Sequence, residues 1–241
     1  VDGDRVFVAE PLTERRPGTI YVYEKGSDGS WAESTTIRSP AAEPGDHFGR
    51  ALAVQGGTLW TGATVEDSTT GAAYVFTRGE DGSWSQLQRF QPDDLAVDEA
   101  FGRAAAVDGD FALVAAWGHR DGRGAVYVFR RDEAGDWSRY DKLTAEDAAE
   151  NDWFGMSIAI RGDVAIVGAP RKDDGTGAAY VFRHDPASAG WRQTAKLSLD
   201  GLGASAQLGR SVALGDGRAV VGAPGHANFS GTAFEFAFDE E

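Results

Sequence analysis

Residues 153–170 read WFGMSIAIRGDVAIVGAP: two short apolar runs, 156–160 and 164–169, joined by Arg161-Gly162-Asp163. Two apolar runs around a glycine predict a tight β-hairpin. Gly reaches positive φ at no steric cost, and a two-residue type I′ turn needs positive φ at both central positions. Arg-Gly-Asp is also a tripeptide that adhesion ligands display. The same place in the other copies of this pattern holds Asp2-Gly3-Asp4, Gln55-Gly56-Gly57, Asp108-Gly109-Asp110 and Gly215-Asp216-Gly217. The glycine is therefore read as a turn residue and the arginine as its solvent-exposed neighbour.

Working outward, the pattern recurs along the whole chain. GTIYVY, GAAYVF, GAVYVF, GAAYVF and GTAFEF begin at Gly18, Gly71, Gly124, Gly177 and Gly231, a spacing of 53 residues and once 54. Trp31, Trp84, Trp137 and Trp191 keep the beat, as do Phe48-Gly49, Phe101-Gly102, Phe154-Gly155 and Leu208-Gly209. Each full period holds four short runs, here designated A (156–160), B (164–169), C (177–182) and D (191–197). The repeats run approximately over 1–46, 47–99, 100–152, 153–206 and 207–241. The first lacks strand A and the last lacks strand D, so 18 strands are expected where five complete sheets need about twenty. Four antiparallel strands repeated about every 50 residues predict an all-β fold, a β-propeller of four-stranded blades in which each sheet covers its neighbours. With five repeats present, the chain is either five-bladed or part of a larger propeller completed by more sequence or a partner chain.

Composition agrees. Gly reaches 32 residues, aromatics 11% and the apolar fraction 41%, which suits many short strands and tight turns rather than long helices. No apolar run is long enough to cross a bilayer as a helix. A formal net charge of −15 makes nucleic acid and anionic membrane surfaces poor partners and favours cations or basic proteins. The absence of Cys removes thiolate metal sites, disulfides and Cys nucleophiles. The chain carries no nucleophile elbow, HExxH or phosphate loop. His119 and His226 occupy matching B–C loop positions, which places them on one face but not together.

Phe154-Gly155 with Val167-Gly168-Ala169-Pro170, and Leu208-Gly209 with Val221-Gly222-Ala223-Pro224, resemble the FG-GAP repeat of integrin α-subunit propellers and many bacterial secreted proteins. That resemblance implies a propeller serving as an extracellular or cell-surface adhesion, binding or scaffold module. Leu208 departs from Phe, and Ala63-Thr64 and Ala116-Trp117 depart from Ala-Pro. Integrin-type copies often carry an Asp-rich calcium loop between strands A and B. Here that connection is only a short turn, too poor in oxygens for a full Ca²⁺ site, so those sites are not carried over.

Alternating strand direction sends the B–C loops and the D–A connections to one face. The acids Asp93, Asp94, Asp98, Glu99, Asp147, Glu150, Asp152, Asp173 and Asp174 fall there. Asp147, Glu150, Asp152, Asp173 and Asp174 are the candidate Ca²⁺ ligands, weighed against a solvated acidic rim. Asp93, Asp94, Asp98, Glu99, Trp117 and His119 are the candidate partner contacts. The expectation is a non-enzymatic binding module acting through an acidic loop face toward a protein partner. The alternative is a carbohydrate-binding or carbohydrate-processing propeller in which an exposed Trp117 stacks on a sugar.

Overall fold

The computed structural model describes residues 1–12, 16–187 and 190–238. Among them are eighteen strands, and helix is confined to four-residue segments. Among the described residues no helix is long and apolar enough to cross a membrane. Contacts divide the chain into two compact units, Val1–Val107 and Asp108–Glu241.

In the first unit, β1 (Arg5–Glu10), β2 (Thr19–Lys25) and β3 (Trp31–Ile37) form a three-stranded sheet. The strands β4 (Phe48–Gln55), β5 (Thr58–Ala63), β6 (Ala72–Arg78) and β7 (Trp84–Phe90) form a four-stranded one, and β8 (Phe101–Asp108) follows. The next strands are β9 (Phe111–Ala116), β10 (Ala125–Arg131) and β11 (Trp137–Leu143), with sheet order β11-β10-β9-β8. In the second unit, β12 (Ser157–Arg161), β13 (Val164–Ala169), β14 (Ala178–Asp185) and β15 (Gly190–Leu197) form another four-stranded sheet. The strands β16 (Ser211–Gly215), β17 (Arg218–Ala223) and β18 (Thr232–Ala237) close the series with three. Neighbours are antiparallel and consecutive in sequence, the meander of a propeller blade. The fold is all-β, of the β-propeller class, and its strands lie where the repeat put them.

Each blade is built the same way. The third strand meets the fourth through one bulge, which leaves Ser34, Leu87, Tyr140 and Thr194 unpaired in their respective copies. An outer strand bent by an extra residue twists more strongly, as bulged strands do. The Phe of Phe-Gly packs edge-on against the Tyr and Phe of the third strand. Phe48 lies 5.5 Å from Tyr74 and 5.9 Å from Phe76, and Phe154 lies 5.6 Å from Tyr180 and 5.8 Å from Phe182. Such aromatic pairs add about 0.5–1.5 kcal/mol to their area burial. In the first unit Ile20, Val22 and Ile37 pack with Phe48, Leu59 and Phe76. In the second, Ile166 and Ala179 pack with Leu208, Ala219 and Val221. Gly168 is required by crowding, since a Cβ there would collide with the Gly209 carbonyl and the Ser157 hydroxyl.

One turn expectation is corrected. At Arg161-Gly162-Asp163 only Gly162 has positive φ, +57°, and Asp163 does not, which is the type II′ pattern. The reason is the order of residues. Gly stands first in the turn, so Asp163 is spared the left-handed conformation that costs an L-residue about 1–2 kcal/mol. Gly3 and Gly109 repeat the arrangement, and only Gly56-Gly57, at +57° and +81°, places both turn residues at positive φ. The tripeptide is also tied down. The Gly162 N–H donates to Asp108 Oδ2 at 2.6 Å, and Arg161 pairs with Asp216.

Candidate functional site

Among the described residues the B–C loops show one construction four times. The segments α1 (Glu66–Thr69), α2 (His119–Gly122), α3 (Lys172–Gly175) and α4 (His226–Phe229) each place two interior residues at left-handed φ and ψ. The last residue of each segment also has positive φ, so every loop makes three left-handed steps in succession. Asp, Asn and Gly tolerate this region; Thr69 at +65° and Phe229 at +64° do not favour it. Backbone bonds hold the loops there: Gly175 N–H donates to Arg171 O at 3.0 Å, and Gly177 N–H to Lys172 O at 2.9 Å.

Within each unit, loops and D–A connections grip one another. In the first, Val65 N–H donates to Asp46 O and Ala100 N–H to Thr69 O, at 3.1 and 2.8 Å. In the second, Trp153 N–H donates to Gly122 O, Arg171 N–H to Asp152 O, and Gln207 N–H to Gly175 O, at 2.9, 3.2 and 2.9 Å. Loops so fixed form a rigid surface on which side chains can be presented.

That surface in the second unit contains a cleft of about 700 Å³ lined by Glu150, Asn151, Trp153, Arg171, Asp174 and Gln207, among others. The Arg171 guanidinium lies 4.4 Å above the Trp153 ring, a close cation–π stack. Trp117 meets the same ring edge-on at 4.9 Å.

An ion network shares Asp152, Lys172 and Asp173 with the lining of the cleft. Asp147 Oδ1 accepts from the Tyr180 hydroxyl at 2.7 Å, and Oδ2 pairs with Lys196 Nζ at 2.8 Å. Lys172 Nζ donates to Asp147 O at 2.5 Å and to Asp152 Oδ2 at 3.1 Å, and both Lys172 and Asp152 are buried. Burial pushes the Asp147 carboxyl up, but hydrogen bonds from Lys196 and Tyr180 and the Lys172 charge outweigh it and hold it below its ordinary value. Burial, reinforced by the bond to Asp147, pushes the Tyr180 hydroxyl up.

The first unit solves the same problem with other residues. Glu66, buried, accepts from the Tyr74 hydroxyl at 2.6 Å and from Arg89 at 2.8 and 2.5 Å. Burial and then the bond to Glu66 push the Tyr74 hydroxyl up to about 12.

The expected Ca²⁺ ligands are thus distributed as follows. Asp147 and Asp152 serve Lys172, Lys196 and Tyr180, and Asp173 pairs with Lys196 at 3.3 Å. Glu150 pairs with Arg123 at 3.2 Å, and Asp174 is exposed. Among the described residues no group of three or more His, Asp or Glu side chains is arranged to hold a metal ion. Of the expected partner contacts, Asp93, Asp94 and Asp98 are exposed in the first unit. Three expectations of exposure are corrected. Glu99 is buried. Trp117 is half-buried, because its apolar ring finds Trp153. His119 is buried with Nε2 2.7 Å from Lys142 Nζ and its ring against Tyr127.

Sequence reasoning missed Trp153, Asn151, Arg171 and Gln207. A signal existed for Trp153: the equivalent positions hold His47, Ala100 and Gln207, and all four residues have positive φ. A bulky indole held in that conformation, where the other copies have His, Ala and Gln, marks a local departure from the repeat.

The sequence profile of the FG-GAP repeat matches residues 31–76, 84–129, 137–182 and 191–236. Each match begins on the Trp of one outer strand and ends on the third-strand Phe of the next sheet, so the family unit is offset from the blade by one strand. A search of curated proteins returned no match. With four matched units spanning most of its length, the chain belongs to the FG-GAP repeat family.

Proposed function

We propose that the chain is a non-enzymatic binding module of an extracellular or cell-surface protein and that it takes a basic protein or peptide at the acidic loop face of the second unit. The observation that carries this reading is the cleft of about 700 Å³ in which the Trp153 ring, bearing the Arg171 guanidinium, is flanked by Glu150, Asp173 and Asp174. The recess accommodates a guanidinium on an aromatic face beside carboxylates, and a partner's Arg or Lys offers the same chemistry. The family supports it coarsely, because FG-GAP repeats are found in adhesion and binding propellers and are typical of extracellular proteins. The net charge of −15 adds long-range attraction for a basic partner.

The test is titration with an Arg-rich peptide at low and raised salt, using the parent chain and Glu150→Gln/Asp174→Asn. Saturable binding that weakens with salt and with the neutral variant supports the reading. Binding indifferent to both, or none, overturns it.

The Trp117–Trp153 pair favours a second reading, carbohydrate binding, since aromatic rings beside Asn151 and Gln207 suit sugar stacking and hydroxyl recognition. A glycan array with Trp153→Ala as control separates the two, because a basic-peptide site gives no glycan signal to lose.

A further inference from the structure

The loop face of the second unit holds another recess, opposite in charge to the acidic cleft. A cavity of about 360 Å³ is lined by His119, Arg120, Arg123, Lys142, Thr144 and Ala148, among others. Among the described residues its lining includes no Asp or Glu. In a chain with 38 acids against 23 Lys and Arg, such a pocket runs against the composition.

Its two arginines belong to this copy alone. Arg120 stands where the sister loops have Asp67, Asp173 and Ala227, and Arg123 stands where they have Thr70, Thr176 and Ser230. Arg120 is held at φ +48°, a region that Asp and Asn tolerate better, so the turn itself does not call for an arginine. Both arginines are exposed. Arg123 Nη2 meets Glu150 Oε1 at 3.2 Å in an exposed pair, a contact that water keeps weak. Lys142 Nζ adds a further charge at the wall, 2.7 Å from His119 Nε2.

The two recesses share a border. Ala148 lines the basic one and Ala149 and Glu150 line the acidic one, and these three residues are consecutive. Glu150 is therefore a wall of the cleft and also the carboxylate that Arg123 holds.

Resting on the basic-partner reading above, we propose that this pocket takes a carboxylate of the same partner, whose recognised segment carries an Asp or Glu a few residues from its Arg or Lys. The incoming carboxylate receives charge-assisted hydrogen bonds from Arg120 and Arg123. That exchange releases Glu150 to the partner's cation in the cleft. The net charge of −15 repels a carboxylate at long range, so a preference for an acidic peptide over a neutral one requires a local site.

The experiment has two arms, both on the 241-residue chain and on Arg120→Gln/Arg123→Gln. In the first, blocked Gly/Ser peptides carry one Arg and one Glu separated by one to four residues, and each is titrated against its counterpart with Gln in place of Glu. In the second, sodium acetate replaces sodium chloride at constant ionic strength, and amide chemical shifts report where it binds. At one spacing or more the Glu peptide should bind the parent about threefold or more tighter than its counterpart, and the double variant should reverse that order. Acetate should give saturable shifts at residues 119–124 and 142–144 in the parent and lose them in the variant. Should the double variant melt below the parent, Arg120→Gln alone reads the pocket. If no peptide binds, the basic-partner reading fails and the acetate arm alone decides the pocket. If peptides bind and Glu is preferred at no spacing, or if acetate shifts are missing from the pocket or survive in the variant, the proposal is overturned.

Discussion

The sheets β4–β7 and β12–β15 bury the same tyrosine at the same place and satisfy its hydroxyl from opposite directions. In the first, the acid is Glu66, leading the B–C loop, with Arg89 on the outer strand as its cation. In the second, the loop position holds Lys172 instead, and the acid is Asp147 from the preceding connection, with Lys196 on the outer strand. Two periods before Asp147 the chain has Ala41, so the acid is absent from the connection wherever the loop supplies it. A buried hydroxyl must find an acceptor or lose about 1–3 kcal/mol, and the acceptor can come from either segment that reaches it. Part of the acid excess on the loops is therefore internal wiring, and only the remainder can face a partner.

The largest effect expected from breaking either arrangement is at Lys172. Asp152→Ala leaves a buried ammonium with the Asp147 oxygens alone, and unfolding in urea should register a loss of about 3 kcal/mol. At alkaline pH the first sheet should stand out next. A hydroxyl whose folded value is raised contributes stability below the unfolded value of 10.0, and that stability disappears as pH climbs through the folded value of about 12. A tyrosinate absorbance titration of the parent chain against Tyr74→Phe should show the missing residue among the late-ionising ones, and stability near pH 11 should fall less steeply in the variant. The acid side reads the second sheet. Asp147 is depressed when folded, so its contribution is present above the unfolded value of 3.8 and is lost as pH falls through the lower folded value. Asp147→Asn should flatten the decline in stability below about pH 4. Smallest is Arg161→Ala, which removes an exposed pair with Asp216 and should change stability by less than about 0.5 kcal/mol in thermal or urea melts.

The blades were legible because their causes are local or periodic. Gly at a turn, alternating apolar residues and a Trp every 53 or 54 positions located the strands, and the predicted 156–160 and 164–169 became β12 and β13 with a shift of one residue at most. The site was legible only as a region. Which acids pair inward depends on side chains about 20 to 50 residues apart, such as Lys172 with Asp152 or Asp147 with Lys196. Trp117 reads as exposed because its partner Trp153 is 36 residues away. Lys142, on an outer strand 23 residues downstream of His119, ends that histidine's exposure. The type II′ turn at Gly162 differs from the expectation for a subtler reason, the order of Gly and Asp within two residues.

The interchange of the two wirings is tested most directly by transplanting one into the other, with urea unfolding of Glu66→Lys, Ala41→Asp and the double variant. Glu66→Lys alone should cost about 3 kcal/mol by facing Arg89 and leaving Tyr74 without its acid, and Ala41→Asp alone should be within about 0.5 kcal/mol of the parent. The double variant should recover at least about 1.5 kcal/mol of the loss, because Asp at 41 would then stand where Asp147 stands. Additive losses within about 0.5 kcal/mol would contradict the account.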